Sequence, residues 1–144
     1  MSRMFVTKIL AGIFLSLTIA VQSLLAADRV GITTVFVGRS VDSANQIDDP
    51  ATVFLAGEKV YVSVQSQTTP IEAHVPGSLG VRWFFGEVEI PNVAKTSRVD
   101  FEGNGWTAFD ISRPKGMPIG YYGAHISLNG VHVATISFEV VESD

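Results

Sequence analysis

The sequence contains no cysteine among its 144 residues. This absence excludes disulfide bonds, thiolate chemistry and the cysteine that a bacterial lipoprotein carries after its hydrophobic leader. A folded domain in this chain must therefore be stabilised by burial of apolar surface and by pairing of backbone groups.

Positive charge is also scarce, and no run of basic residues occurs. Residues 28–144 hold 8 Lys and Arg against 14 Asp and Glu, a net charge of −6. An acidic surface of this kind disfavours nucleic acid and anionic membrane as partners. The composition therefore predicts no nucleic-acid partner.

Motifs that carry chemistry are missing as well. The acidic stretch 38–51 lacks the spacing of a calcium loop, and no G-x-S-x-G elbow accompanies His74, His125 or His132. Scattered Ser, His and Asp residues are usually surface polar groups. We expect no catalytic residues, no metal ligands and no cofactor, and hence no enzyme.

The first 27 residues have the three parts of a secretory signal peptide. Arg3 and Lys8 form a positive region, an apolar run begins at Ile9, and small residues end the segment at Ala26 and Ala27. We expect cleavage at that end and export to the periplasm or the exterior of a bacterium. The alternative is an uncleaved membrane anchor, which the polar residues between positions 16 and 23 weaken.

Residues 28–144 predict one all-β domain. Helical periodicity is absent after the leader, and short alternating runs recur about every ten residues between turn signals, as in a β-sandwich. We expect an antiparallel, Ig-like sandwich of about seven to eight strands. Trp83 is its predicted central core aromatic, Val93 to Phe101 its predicted edge strand, and 66–78 a loop because of its prolines.

The last two strands form a predicted hairpin around Asn129-Gly130. A two-residue loop would mix His125 and Ser127 with apolar residues on one face, whereas a bulged loop over 128–130 sorts the faces cleanly. The bulged loop is our prediction. It places His125 and His132 on opposite faces, so that they could not share a metal; the two-residue loop would leave that open.

The order of short motifs resembles a group of exported bacterial Ig-like β-sandwich domains of undefined activity. The motifs comprise Phe54, Gly57-Glu58, Tyr61-Val62-Ser63, Arg82-Trp83, the run from Phe109 to Pro114, the corner from Gly116 to Tyr122, Asn129-Gly130 and Phe138-Glu139-Val140. Met117 stands where that group usually has Trp. The resemblance implies a fold and a non-catalytic role, and no ligand. Residues predicted to have structural roles are Trp83, Phe109, Pro118, Gly120, Tyr122, Gly130 and Phe138.

Aromatic and histidine residues outside the predicted core faces are the candidates for binding. They are Phe84, Trp106, Tyr121 and His125. We expect a non-catalytic binding or assembly module that recognises a protein partner in the cell envelope, with strand addition at an exposed edge as one route. A small carbohydrate- or metal-binding protein using these residues is the alternative, and an enzyme comes third.

Overall fold

The computed structural model describes residues 27–143, so the predicted leader lies almost wholly outside the described residues. Nine strands form over the described range: β1 Arg29–Gly38, β2 Val53–Leu55, β3 Val60–Thr69, β4 His74–Phe85, β5 Val88–Glu89, β6 Lys95–Glu102, β7 Asn104–Ile111, β8 Gly120–Leu128 and β9 Val131–Val141. The all-β prediction is confirmed. Between residues 27 and 143 there is no helix of the length and apolar character needed to cross a membrane.

The strands form two sheets that face each other across one core. The smaller sheet has the order β1-β3-β7, and the larger has the order β2-β9-β8-β4-β5, with β6 also paired to β4. Chain segment 53–69 crosses between the sheets, because β2 pairs in parallel with β9 whereas β3 pairs with β1 and β7. The β-sandwich class that the sequence predicts is therefore present, with nine strands over the described residues instead of seven to eight and with one parallel pair, β2 and β9, instead of wholly antiparallel pairing.

Alternating side chains fill the space between the sheets. Val60, Val62 and Val64 of β3 are fully buried, as their period of two predicts. Trp83 of β4 and Phe138 of β9 approach them from the larger sheet, with their rings in an edge-to-face arrangement at 6.3 Å between centroids. The core thus combines aromatic side chains of the larger sheet with the aliphatic side chains of β3.

The expectation of a loop over 66–78 was wrong. Strand β3 continues to Thr69 and strand β4 already begins at His74. Pro76 pairs with Asp100 of β6, whereas the pairing of β4 with β8 starts only at Leu79. Pro76 therefore has a single neighbouring strand, which is where a sheet tolerates a residue without an N–H group. His74 lies on a strand, exposed beside Asp100 and Glu102.

The bulged loop predicted at 128–130 was also wrong. Leu128 pairs with Val131, so that the loop is the two residues Asn129 and Gly130, both with positive φ (51° and 83°). This is the geometry of a type I′ turn, in which Asn-Gly is favoured. The bulge lies farther along, because Ile126 pairs with Ala134 while Ser127 pairs with His132. Beyond it, Tyr122, Ala124 and Ile126 share a face with Ala134, Ile136 and Phe138, as predicted, although their pairing is shifted by two residues from that of a loop over 128–130.

Glu58 joins the end of β1 to the turn between β2 and β3. One carboxylate oxygen accepts a hydrogen bond from the Leu55 N–H at 2.7 Å, and the other accepts one from Arg39 Nε at 2.8 Å. The Leu55 N–H is the largest cause of a lowered Glu58 pKa; burial opposes it and Arg39 adds to it. Because the folded pKa is depressed, this contact stabilises the fold above the unfolded pKa and is lost as pH falls through the folded value.

Glu58→Gln should lower the free energy of unfolding by about 1 kcal/mol at pH 7, the usual net worth of such hydrogen bonds. The difference from the parent protein should shrink as pH falls below 4, since the parent then loses its carboxylate as well. Urea unfolding at several pH values measures both effects. Glu87→Gln, in the exposed turn between β4 and β5, is the control and should cost little; a pH-independent loss for Glu58→Gln would contradict the linkage.

Candidate functional site

The outer face of the larger sheet carries an aromatic and cationic cluster. Phe84 of β4 stacks on His125 of β8, with ring centroids 3.9 Å apart and an interplanar angle of 25°. Arg82, two residues before Phe84, pairs with His125 across the strands and holds its guanidinium carbon 5.4 Å from the Phe84 ring centroid. Arg82 Nη1 lies 3.5 Å from Glu89 Oε1 of β5.

This face lacks a side chain at Gly123, which lies directly opposite Phe84 on β4 and opposite Ser137 on β9. Tyr121 and His125 project from the same face of β8 on either side of Gly123, about 13 Å apart along the strand at roughly 3.3 Å per residue. We call this position, with Phe84, Tyr121 and His125 as its neighbours on the same face, the Gly123 slot.

A methyl group at Gly123 would fit the free protein. It would lie 3.9 Å from His125 Cδ2, His125 Nε2 and Thr135 Cγ2, which is ordinary van der Waals contact. The backbone at Gly123 also does not need the left-handed conformation. Neither packing nor backbone conformation therefore demands glycine at this position.

His125 and His132 lie on the same face, contrary to the prediction from the bulged loop. Their ring centroids are 5.2 Å apart, because the two-residue turn places His132 opposite Ser127. His132 Nε2 lies 2.8 Å from the Thr135 hydroxyl. Even so, no group of three His, Asp or Glu residues able to hold a metal occurs within residues 27–143.

The environment of His125 keeps its ring neutral at pH 7. Burial is the largest cause of a lowered His125 pKa; repulsion from His132 and Arg82 adds to it, and Glu89 opposes it. A neutral imidazole presents one donor and one acceptor at its edge. The slot is thus bordered by a ring that can both stack and form hydrogen bonds.

The four residues predicted for binding do not form one site. Phe84, His125 and Tyr121 share the outer face of the larger sheet, and Tyr121 is 70% exposed. Trp106 lies on the opposite side of the molecule, on β7 of the smaller sheet, where it stacks on Phe36 at 6.0 Å. Sequence alternation placed each side chain outside the core, but it did not tell the two outer faces apart.

The residues predicted to have structural roles lie in the core or at turns. Trp83, Phe109, Tyr122 and Phe138 are buried. Pro118 supplies the carbonyl that accepts the Tyr122 hydroxyl hydrogen bond, and Gly120 has φ 145° with the Phe85 ring against it. Met117, at the position where the resembling group has an exposed Trp, is itself buried.

Two residues of this face, Gly123 and Arg82, were not among the candidates predicted from the sequence. Gly123 has no chemistry of its own, and Arg82 was read only as the neighbour of Trp83. Their importance comes from the pairing of β4 with β8, which brings Arg82 opposite His125 and Phe84 opposite Gly123. A signal was present in the small residue between the outward-facing Tyr121 and His125.

Comparison with known proteins adds a likeness of fold. No family model and no curated protein matches the sequence. Among solved structures, the chain is similar to the Pseudomonas fluorescens alkylpurine DNA glycosylase AlkC bound to DNA containing an abasic site analog, with 15% identity and a TM-score of 0.50. The similarity covers 77% of this chain and 30% of that one, so the chain spans about a third of its length.

This finding corrects two expectations. The exclusion of nucleic acid rested on net charge, and the similar structure was solved with DNA, so we withdraw that exclusion. The assignment as an envelope module with a protein partner, together with its sugar- or metal-binding alternative, falls with it. Net charge describes a whole surface, whereas binding depends on one face of it. The expectations of export and of no enzymatic activity stay predictions.

Proposed function

We propose that this β-sandwich binds single-stranded nucleic acid and stacks one unpaired base in the Gly123 slot. The observation that carries the proposal is the slot itself, a glycine with Phe84, Tyr121 and His125 as its neighbours on the same face. The fold likeness to a protein solved with DNA adds support. We propose no catalytic step for this domain.

Stacking supplies most of the expected binding energy. Bases stacked on aromatic side chains contribute about 1–3 kcal/mol each, largely independent of sequence, because every base has a π-face. Tyr121 and the stacked pair of Phe84 and His125 provide the aromatic surfaces, and the guanidinium carbon of Arg82 lies 5.4 Å from the Phe84 ring centroid. The neutral His125 edge can bond to polar atoms of the base.

We expect charge to contribute little to the affinity for nucleic acid, and the affinity should therefore depend only weakly on salt. Arg82 is the single Lys or Arg within the cluster, and it is partly neutralised by Glu89. Binding that releases about one counterion from a single strand should give a salt slope near −0.7. Affinity should therefore be modest and weakly salt-dependent, and a duplex, whose bases are already stacked, should bind more weakly than a single strand.

Gly123→Ala should weaken binding of a fluorescein-labelled dT10 oligonucleotide about tenfold without loss of stability. The methyl group fits the free protein but occupies the position where the base would lie, which costs a large part of one stacking contact. Fluorescence anisotropy gives the dissociation constant, and urea unfolding gives the stability.

Gly80→Ala is the matched control. Gly80 lies on the same face of β4, opposite Ser127, and an added methyl would meet only ordinary contacts at 3.5 Å. It should leave dT10 binding unchanged. Equal weakening by both substitutions, equal affinity for the duplex of the same sequence, or no saturable binding of dT10 would each sink the proposal.

We further propose that the sandwich is Ig-like in its detailed class. The buried Trp83 on β4 and the Tyr122 hydroxyl, which bonds back to the Pro118 carbonyl four residues upstream, support this class. The group of bacterial Ig-like domains that the sequence resembles is exported. Export remains part of the proposal and would be tested by N-terminal sequencing of the protein from its native host.

A further inference from the structure

A second concave region lies around the edge of the larger sheet, away from the Gly123 slot. It is a cleft of about 210 Å³ between the β4–β5 hairpin and the proline-rich corner that precedes β8. Its lining includes the apolar residues Phe85, Val88 and Ile90 of the hairpin region and Pro118 and Tyr122 from the corner and β8. Phe85 and Val88 are exposed at 40% and 72%, so the apolar wall is open to solvent.

The two charged residues that line this cleft differ in whether they have an ion-pair partner. Of its two charged residues, Glu89 is turned to Arg82 on the outer face, while Arg113 makes no ion pair with any of residues 27–143. The Tyr122 hydroxyl already donates to the Pro118 carbonyl. An incoming ligand would thus meet an apolar wall and one unneutralised guanidinium.

Arg113 lines this cleft together with Tyr122, whereas the neighbouring Lys115 does not. Lys115 lies two residues from Arg113 on the same exposed corner and likewise has no ion-pair partner among residues 27–143. Burial raises the Tyr122 pKa, and the positive charge of Arg113 opposes that rise. An anionic group would be attracted to this end of the cleft.

We propose that this cleft binds a small apolar carboxylate, with its hydrocarbon part against Phe85, Val88 and Pro118 and its carboxylate on Arg113. Arginine suits this role because its planar fork of N–H donors matches a carboxylate in a bidentate contact. The cleft is smaller than the pockets that hold drug-sized molecules. It fits a ligand of about ten non-hydrogen atoms, for which a dissociation constant of about 1 mM is the reasonable expectation.

Phenylacetate and its neutral isostere phenylacetamide test the proposal. In a titration of the ¹⁵N-labelled protein followed by NMR, phenylacetate should shift the amide signals of Val88, Ile90 and Arg113 saturably near 1 mM. Phenylacetamide should bind about fivefold more weakly, because it lacks the charge that the guanidinium recognises. Equal binding of acid and amide, or saturable shifts only outside the cleft, would overturn the proposal, as would no saturation at all.

Arg113→Gln removes the charge from an exposed position and should weaken phenylacetate about fivefold while leaving phenylacetamide unchanged. Lys115→Gln is the matched control and should change neither, since Lys115 does not line this cleft. An equal loss of phenylacetate affinity in both variants would indicate nonspecific electrostatic attraction to the corner and would refute a specific carboxylate site at Arg113. Gly123→Ala should leave phenylacetate binding intact, so this result stands or falls separately from nucleic-acid binding.

Discussion

Trp83→Ala should lower the free energy of unfolding by about 3–5 kcal/mol, the usual cost of truncating a large buried aromatic. Trp83 is fully buried, and its ring lies edge-to-face on Phe138. Phe138 itself stacks on Tyr122 at 5.2 Å and meets Phe54 edge-to-face at 5.6 Å. The cavity left by Trp83 would therefore open beside an aromatic cluster that cannot collapse without losing these arrangements.

The indole N–H of Trp83 leads to a different expectation for a second substitution, Trp83→Phe. It is the one buried side-chain donor or acceptor in residues 27–143 that has no hydrogen-bond partner. Trp83→Phe would lose packing volume but would also remove a donor whose unmet hydrogen bond costs about 1–3 kcal/mol. We expect the two effects nearly to cancel, leaving Trp83→Phe within about 1 kcal/mol of the parent protein.

Urea unfolding followed by far-UV circular dichroism measures both variants without relying on tryptophan fluorescence. A loss below about 2 kcal/mol for Trp83→Ala would contradict a rigid core at this position. A Trp83→Phe variant as unstable as Trp83→Ala would show that the indole N–H is satisfied in solution.

The sequence could predict the core because burial imposes a period that side chains reveal directly. Val60, Val62 and Val64 alternate with polar residues, and Trp83 follows the same rule on β4. The hairpin shows the limit of this reasoning. Sorting of apolar side chains fixes only which face each residue occupies, and a bulge in the loop or at Val133 gives the same faces with pairings that differ by two residues.

The candidate site could not be assembled from the sequence for a related reason. Alternation identifies outward-facing residues such as Phe84 and Trp106 but carries no information on which strands are neighbours. The Gly123 slot exists because β4 and β8 pair in one register, with Phe84 opposite Gly123. Net charge has the same limitation as a predictor of partners. The sum of charges over a chain does not describe the charge on one face, such as the face that carries Arg82.

The sequence also does not reveal where stability depends on a particular glycine. Position 38 requires glycine because the loop 39–50 packs against it. A methyl group at Gly38 would lie 2.5 Å from the Asp49 carbonyl oxygen and 2.4 Å from Ile47 Cγ2. The Asp49 carbonyl cannot easily retreat, since it accepts the Arg39 N–H hydrogen bond at 2.9 Å. The loop 39–50 would have to move away from the end of β1.

Gly38→Ala should therefore cost about 3 kcal/mol, combining overpacking with the loss of backbone hydrogen bonds in the loop. Gly57→Ala is the matched control, because a methyl there meets nothing within 4 Å and should change stability by less than about 0.5 kcal/mol. Urea unfolding of both proteins provides the comparison. If Gly38→Ala were as stable as Gly57→Ala, the loop would move aside freely, and its contacts with β1 would contribute nothing measurable to the fold.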